Sequence, residues 1–231
     1  MLILLIFTNL VSMIFLAIVS LYYKIPQKLL FLVSGKPWNK YSFYSIRTTF
    51  FSEYNNEYRV VMLGDSITAD VEWNELLGIS SIANRGIGGD TTYGFCKRLE
   101  TIYQLNPEIC FIMGGINDIF SGVPVDKILK NMKKIIEGLK ENNIRPIVQS
   151  TLYVSQEVSF WKRKNKFVNE LNNGLNNICI ENDIMFIDIN KKLSEAGKLK
   201  NEYTYDGVHL LGTGYREWGR LIKPIMRDAK E

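Results

Sequence analysis

A three-layer α/β/α domain on a five-stranded parallel sheet is the fold this sequence predicts. Three observations lead there. The chain has 231 residues, 46% of them hydrophobic, which fills one sizeable core but not two large ones. Five short, nearly continuous apolar runs alternate with segments of helical period, as expected for strands covered on both faces. Polar, glycine-rich breaks follow those strands and fall on one edge of the expected sheet, where such sheets bind ligands.

Before the sheet, residues 1–23 carry no charged side chain and only Thr8, Asn9, Ser12 and Ser20 interrupt their apolar character. As a helix they would span about 34 Å against a bilayer core of about 30 Å. Tyr22, Tyr23 and Lys24 then read as an interfacial belt. A membrane anchor by a single N-terminal helix is the expectation. A signal segment removed on secretion is the alternative, disfavoured by the missing basic n-region and cleavage motif. Residues 24–57 read as a juxtamembrane connector that packs on the domain through Tyr41, Phe43, Tyr44, Phe50 and Phe51. The domain proper is expected over 58–231.

Within it, residues 59–63 form the first strand, ended by Gly64, and 79–84 a weaker second one. Phe95, Leu99 and Ile102 give residues 91–105 a helical stripe. Residues 108–113 make the third strand, followed by a helix over 125–139 with Ile128, Met132, Ile135, Ile136 and Leu139 on one face. The fourth strand runs 145–150, extending toward Val154. A polar helix follows over 157–177, its end weakened by Gly174 and several asparagines. Residues 184–189 are the fifth strand and 215–226 the terminal helix, strained by Pro224.

Charge is unevenly placed. The net formal charge is +4, yet Lys24, Lys28, Lys36, Lys40 and Arg47 all precede the first acidic residue, Glu53. The nearly neutral body excludes a nucleic-acid channel, which needs positive charge along a track. By the positive-inside rule the basic flank favours a cytoplasmic body, and the sequence leaves its side of the membrane open. One histidine and the dispersed Cys96, Cys110 and Cys179 supply neither a clustered zinc site nor a disulfide framework. Nothing in the sequence assigns an oligomeric state.

The strand-end breaks carry the chemistry. Gly64-Asp65-Ser66 follows the first strand, Gly86-Ile87-Gly88-Gly89-Asp90 the second, Gly114-Gly115-Ile116-Asn117-Asp118 the third, and Asp206-Gly207-Val208-His209 precedes the last helix. Ser66 is the candidate nucleophile, and a serine hydroxyl needs a neighbouring base. His209 is the one imidazole in the chain. Asp206, three residues earlier, can hold that ring in the required tautomer. Gly89 N–H, the Asn117 amide and Ser66 N–H are candidate donors to a developing oxyanion. Asp65 and Asp118 read as loop-bracing residues. Ordinary roles compete at each position: Ser66 as a helix cap, His209 as a surface residue, the glycines as turn formers.

Those four blocks, in that order, resemble the SGNH/GDSL hydrolases, a resemblance that covers about 170 residues from the first strand into the last helix. The glycine loop is especially similar to the branch containing platelet-activating-factor acetylhydrolases and carbohydrate O-acetylesterases. The resemblance implies a flavodoxin-like sheet of order 2-1-3-4-5. It assigns Ser66 as nucleophile, His209 as base, Asp206 as its orienter, and Ser66, Gly89 and Asn117 as the oxyanion hole. It implies no metal and no organic cofactor. The expected activity is ester hydrolysis through an acyl-enzyme. A short acyl group on a carbohydrate or other polar carrier is favoured, because no lid-like apolar insertion lies near the blocks.

Other readings fit less well. The glycine loop lacks the dinucleotide spacing, since position 91 is Thr, and no phosphate-binding Gly-Lys motif is present. A two-carboxylate glycosidase would have to use Asp65 and Asp118. A membrane-associated lysophospholipase or lipase, and a non-catalytic carbohydrate-binding or scaffold protein on the same fold, stand as alternatives.

Overall fold

The computed structural model describes residues 12–19, 43–54 and 56–227. Its sheet contains β1 (Val60–Gly64), β2 (Ile82–Gly86), β3 (Ile109–Met113), β4 (Arg145–Gln149) and β5 (Met185–Ile187), in the order β2-β1-β3-β4-β5. Every pairing is parallel. Parallel neighbours require each connection to cross a face of the sheet, so helices separate the strands. Gly64 pairs with both Gly86 and Met113, so β1, β2 and β3 end level and their loops emerge side by side. The strand order reverses between β1 and β3, which opens a crevice there.

Ahead of the sheet lies α1 (Phe43–Glu53). Short helices α2 (Ser66–Ala69), α3 (Trp73–Leu77), α4 (Thr92–Lys97), α5 (Glu100–Tyr103) and α6 (Ile116–Phe120) follow the first three strands. The long helices are α7 (Val125–Glu141), α8 (Trp161–Glu181) and, after a single turn α9 (Asn190–Leu193), α10 (Gly212–Arg227). Contacts among α4, α7 and α8 make one helical layer, and those among α3, α9 and α10 make the other. On α7, Val125, Ile128, Met132, Ile135, Ile136 and Leu139 face inward at spacings of three and four. A hairpin of β6 (Ser194–Glu195) and β7 (Lys198–Leu199) with a 3-10 turn at Asn201–Tyr203 leads to the His209 loop.

The strand count, direction and order match the expectation, while several boundaries differ for identifiable reasons. The second strand begins at Ile82 rather than residue 79, because Ile79 N–H turns back to Asn74 O at the end of α3. It then runs on through Arg85 and Gly86, past the expected end at residue 84. The fourth strand stops at Gln149. Beyond it, asparagine side chains take over from a neighbouring strand: Asn172 pairs with both Thr151 N and Thr151 O, and Asn165 with Val154 N and O. Those asparagines belong to α8, which continues to Glu181 instead of weakening near Gly174. A side chain at 174 would press on Leu129 of α7 at 2.5 Å. The helix expected over 91–105 breaks at Arg98 (φ −126°, ψ 17°), and the terminal helix starts at Gly212 and runs through Pro224.

The connector assigned to 24–57 contains α1, which touches α5 and buries Phe51 while Phe43 and Phe50 remain exposed. Tyr44 Oη donates to Gly94 O at 3.1 Å. Of the expected anchor, only residues 12–19 are described, as a helix with Met13, Ile14, Phe15, Leu16 and Ile18 exposed. The rest of 1–23, and residues 24–42 including Tyr41, lie outside the described residues. Among the described residues no helix is long and apolar enough to cross a membrane.

Candidate active site

The turn carrying Ser66 is built by close approach. A side chain at Gly64 would sit 2.0 Å from Thr68 Oγ1 and 2.7 Å from Met113 O, so only glycine lets α2 fold back over the end of β1. Asp65 caps α2 by accepting from Ile67 N at 3.0 Å. The turn is then pinned by side chains of α3 and α10. Tyr215 Oη donates to Ile67 O at 2.8 Å, and Trp73 Nε1 donates to Thr68 O at 2.9 Å. Trp73 packs edge-on against Trp218, with ring centroids 4.8 Å apart. Tyr215 and Trp218 lie on α10, whose first residue comes three positions after His209. One helix therefore fixes both the serine turn and the histidine loop.

The geometry that results joins 143 residues of sequence separation. Ser66 Oγ lies 2.9 Å from His209 Nε2, and His209 Nδ1 lies 2.6 Å from Asp206 Oδ2. A carboxylate accepts only, so Nδ1 carries the proton and Nε2 is left to accept from the serine hydroxyl. Asp206 Oδ1 also accepts from Val208 N and His209 N at 2.9 and 2.8 Å. Burial pushes the Asp206 carboxyl up, but bonds from the His209 side chain and these two N–H groups outweigh it and hold the group below its ordinary value. Asp206 thus stays ionised beside the imidazole.

Across the crevice, Gly89 is exposed with φ +73°, and a Cβ there would meet nothing within 4 Å. The left-handed backbone is what asks for glycine at this position. Asn117 Nδ2 donates to Asp90 O at 2.9 Å, which sets its amide beside the Gly89 loop. Asp118 accepts from Thr92 N at 2.9 Å and Thr92 Oγ1 at 2.8 Å, tying α6 to α4.

Beneath these loops lies a residue the sequence reading missed. Arg98 is 2% exposed, and its guanidinium donates to Asp90 Oδ2 (2.8 Å), Arg85 O (2.7 Å) and Gly64 O (3.0 Å). It therefore links the ends of β1 and β2 to the glycine loop. The available signal was a lone arginine inside the apolar spacing of Phe95, Leu99 and Ile102. Asp90, its partner, is buried, as are Asp65 and Asp118. Burial raises Asp65, Asp90 and Asp118 to about 7, 6 and 6 respectively, against hydrogen bonds and, at Asp90, the Arg98 charge. Among the described residues no group of three His, Cys, Asp or Glu could hold a metal ion, and all three cysteines are free thiols.

Comparisons with known proteins bear on this site. The sequence model of the GDSL-like lipase/acylhydrolase family matches residues 62–217, which include all four blocks. The chain is 29% identical over 156 residues to the N-acylneuraminate cytidylyltransferase of Streptococcus agalactiae; the match covers 68% of this chain and only 36% of that one. It is 27% identical over 181 residues to the platelet-activating factor acetylhydrolase IB subunit alpha1 of Bos taurus, covering 74% and 76%. The crystal structure of a GDSL-like lipase from Bacteroides thetaiotaomicron superposes with a TM-score of 0.70 at 25% identity, over 81% of this chain and 98% of that one.

Proposed function

The chain belongs to the GDSL-like lipase/acylhydrolase family, and from that premise we propose that it hydrolyses short-chain carboxylic esters, acetyl esters of a sugar or other polar carrier above all. The observation that carries the reading is the relay from Ser66 Oγ through His209 to Asp206. Ser66 Oγ attacks the ester carbonyl as His209 Nε2 takes its proton. The oxyanion is received by Gly89 N–H, Ser66 N–H and the Asn117 amide. The tetrahedral adduct collapses, the bond to the carrier oxygen breaks, and that oxygen takes the proton from His209. Water then attacks the acyl-enzyme, giving its proton to His209. The acid is released and Ser66 Oγ is reprotonated. The acetyl preference draws on the acetylhydrolase among its relatives and on the absence of a lid-like insertion in the sequence.

A lysophospholipid ester is the second reading. It is favoured by Phe43, Ile46 and Phe50, exposed along α1, with Phe43 beside Gly88. Attachment of residues 1–23 to a membrane is part of the proposal and rests on the sequence. The test is a panel of acetylated sugars, lysophospholipids and simple esters of graded chain length, run with wild type and Ser66→Ala. We expect acetyl esters to be turned over fastest and Ser66→Ala to lose about 10³-fold or more. Equal rates for acetyl and long-chain esters would remove the short-chain claim. An unaffected Ser66→Ala would remove the nucleophile.

A further inference from the structure

The proposed reaction divides the space around Ser66, and the following inference rests on that reading. The carbonyl oxygen turns toward Gly89 and Asn117. The departing oxygen must collect its proton from His209 Nε2, so the carrier alcohol lies on the histidine side. What stands on that side is aromatic and acidic. The Tyr205 ring lies nearly parallel to the imidazole, at 18° with centroids 5.9 Å apart, and it is 63% exposed. Asp206 and Asp70 are near enough that, after burial, their charges raise its phenol. Asp70 is exposed at the end of α2, its N–H bonded to Ser66 O at 3.0 Å.

A second loop leans on the same corner. Ser155 N–H donates to Gly207 O at 2.8 Å, and Val158 lies against Gly207. Two residues on, Phe160 holds φ +58° and is 81% exposed, the most exposed large apolar side chain among the described residues. A left-handed backbone costs a bulky residue about 1–2 kcal/mol, and no packing offsets it here. The rim continues toward Asn117, because Lys164 Nζ sits 5.1 Å from the Phe120 ring and 6.0 Å from that of Phe160.

We propose that Tyr205 and Phe160 form a carrier subsite for an uncharged sugar ring. The ring's C–H face lies on the aromatic faces, and a hydroxyl is held by the Asp70 carboxylate. A phosphate headgroup on the Tyr205 side would meet Asp70 and Asp206, carboxylates of its own sign, with the Lys164 ammonium only at the far, Phe160 side. An alkyl chain would leave Asp70 facing hydrocarbon. Neither fits the corner as a polyol does.

The test compares kcat/KM for a monoacetylated methyl xyloside with that for ethyl acetate, whose alcohol is too small to reach either ring. Tyr205→Ala lowers the xyloside-to-ethyl acetate ratio about tenfold, equivalent to roughly 1.4 kcal/mol. Tyr205→Trp, which keeps a flat face, restores most of it, and Phe160→Ala lowers it less. An unchanged ratio in Tyr205→Ala, with both esters hydrolysed by wild type, overturns the subsite and leaves the esterase reading standing. Preference for a lysophospholipid over the xyloside overturns the sugar assignment. Wild type that hydrolyses no ester sinks the esterase reading and the subsite together.

Discussion

Aspartates on the two sides of Ser66 meet opposite fates. Asp206, with its side chain 39% exposed, is held below its ordinary value by donors from His209 and Val208. Asp118 accepts two hydrogen bonds, both from Thr92, against three on Asp206, and burial carries it up to about 6. Donors oppose burial at both carboxyls, and the near-complete burial of Asp118 is what tips its balance. The carboxylate that must remain charged beside an imidazole stands at the rim, while those that brace loops are buried and drift toward neutrality.

The largest effect that can break this comparison is catalytic. Asp206→Asn keeps the Oδ1 acceptor for Val208 N and His209 N but loses the charge and the tautomer control. We expect kcat to fall about 10³–10⁴-fold with stability changed by less than about 0.5 kcal/mol. Steady-state kinetics beside urea unfolding will show whether the two separate; a Tm falling in step with activity would place Asp206 among the structural carboxylates.

The buried side predicts the reverse. Arg98→Met leaves Asp90 without its cation and Gly64 O and Arg85 O without a donor. Unfolding free energy should drop by about 3–5 kcal/mol, and adding Asp90→Asn should recover part of it. A loss under about 1 kcal/mol would mean that the guanidinium is not what holds these loops.

The smallest effect concerns pH. The folded values of Asp65, Asp90 and Asp118, about 7, 6 and 6, lie above the ordinary 3.8. The native chain thus binds more protons than the unfolded one in that window. Their contribution to stability is complete below about pH 4 and is lost as pH rises through 6 to 7. Asp65→Asn, still able to accept from Ile67 N, should raise Tm at pH 8 by about 2–4 °C and give no gain at pH 4. Equal shifts at both pH values would contradict the burial argument.

These contrasts also explain what could be read from the chain. The first three blocks were legible because each interrupts an apolar run with glycine and a polar side chain, and a parallel sheet gathers such interruptions on one edge. The fourth, residues 206–209, lies instead beyond the β6–β7 hairpin and was legible from its Asp-x-x-His spacing ahead of the last helix. Arg98 was not, because its partners Gly64 O and Arg85 O are backbone groups that leave no sequence signature. Asn165 and Asn172 of α8 were not legible as anything but poor helix formers, since their partners are the backbone groups of Val154 and Thr151 outside the helix. Helix α1 escaped because Phe43, Phe50 and Phe51 lack a clean apolar stripe: only Phe51 is buried, beneath the Arg47 and Arg85 guanidiniums. Tyr205 carried no pattern either, its meaning coming from the ring it stacks upon.

The account turns on a covalent bond at Ser66. Rapid quenching of the full chain during turnover of p-nitrophenyl acetate, followed by peptide mass spectrometry, reads that bond directly. The account predicts a single acetyl group on the peptide containing Ser66, appearing with the first burst of p-nitrophenol and absent from Ser66→Ala. Sustained turnover with no adduct at Ser66, unchanged in that variant, would contradict it.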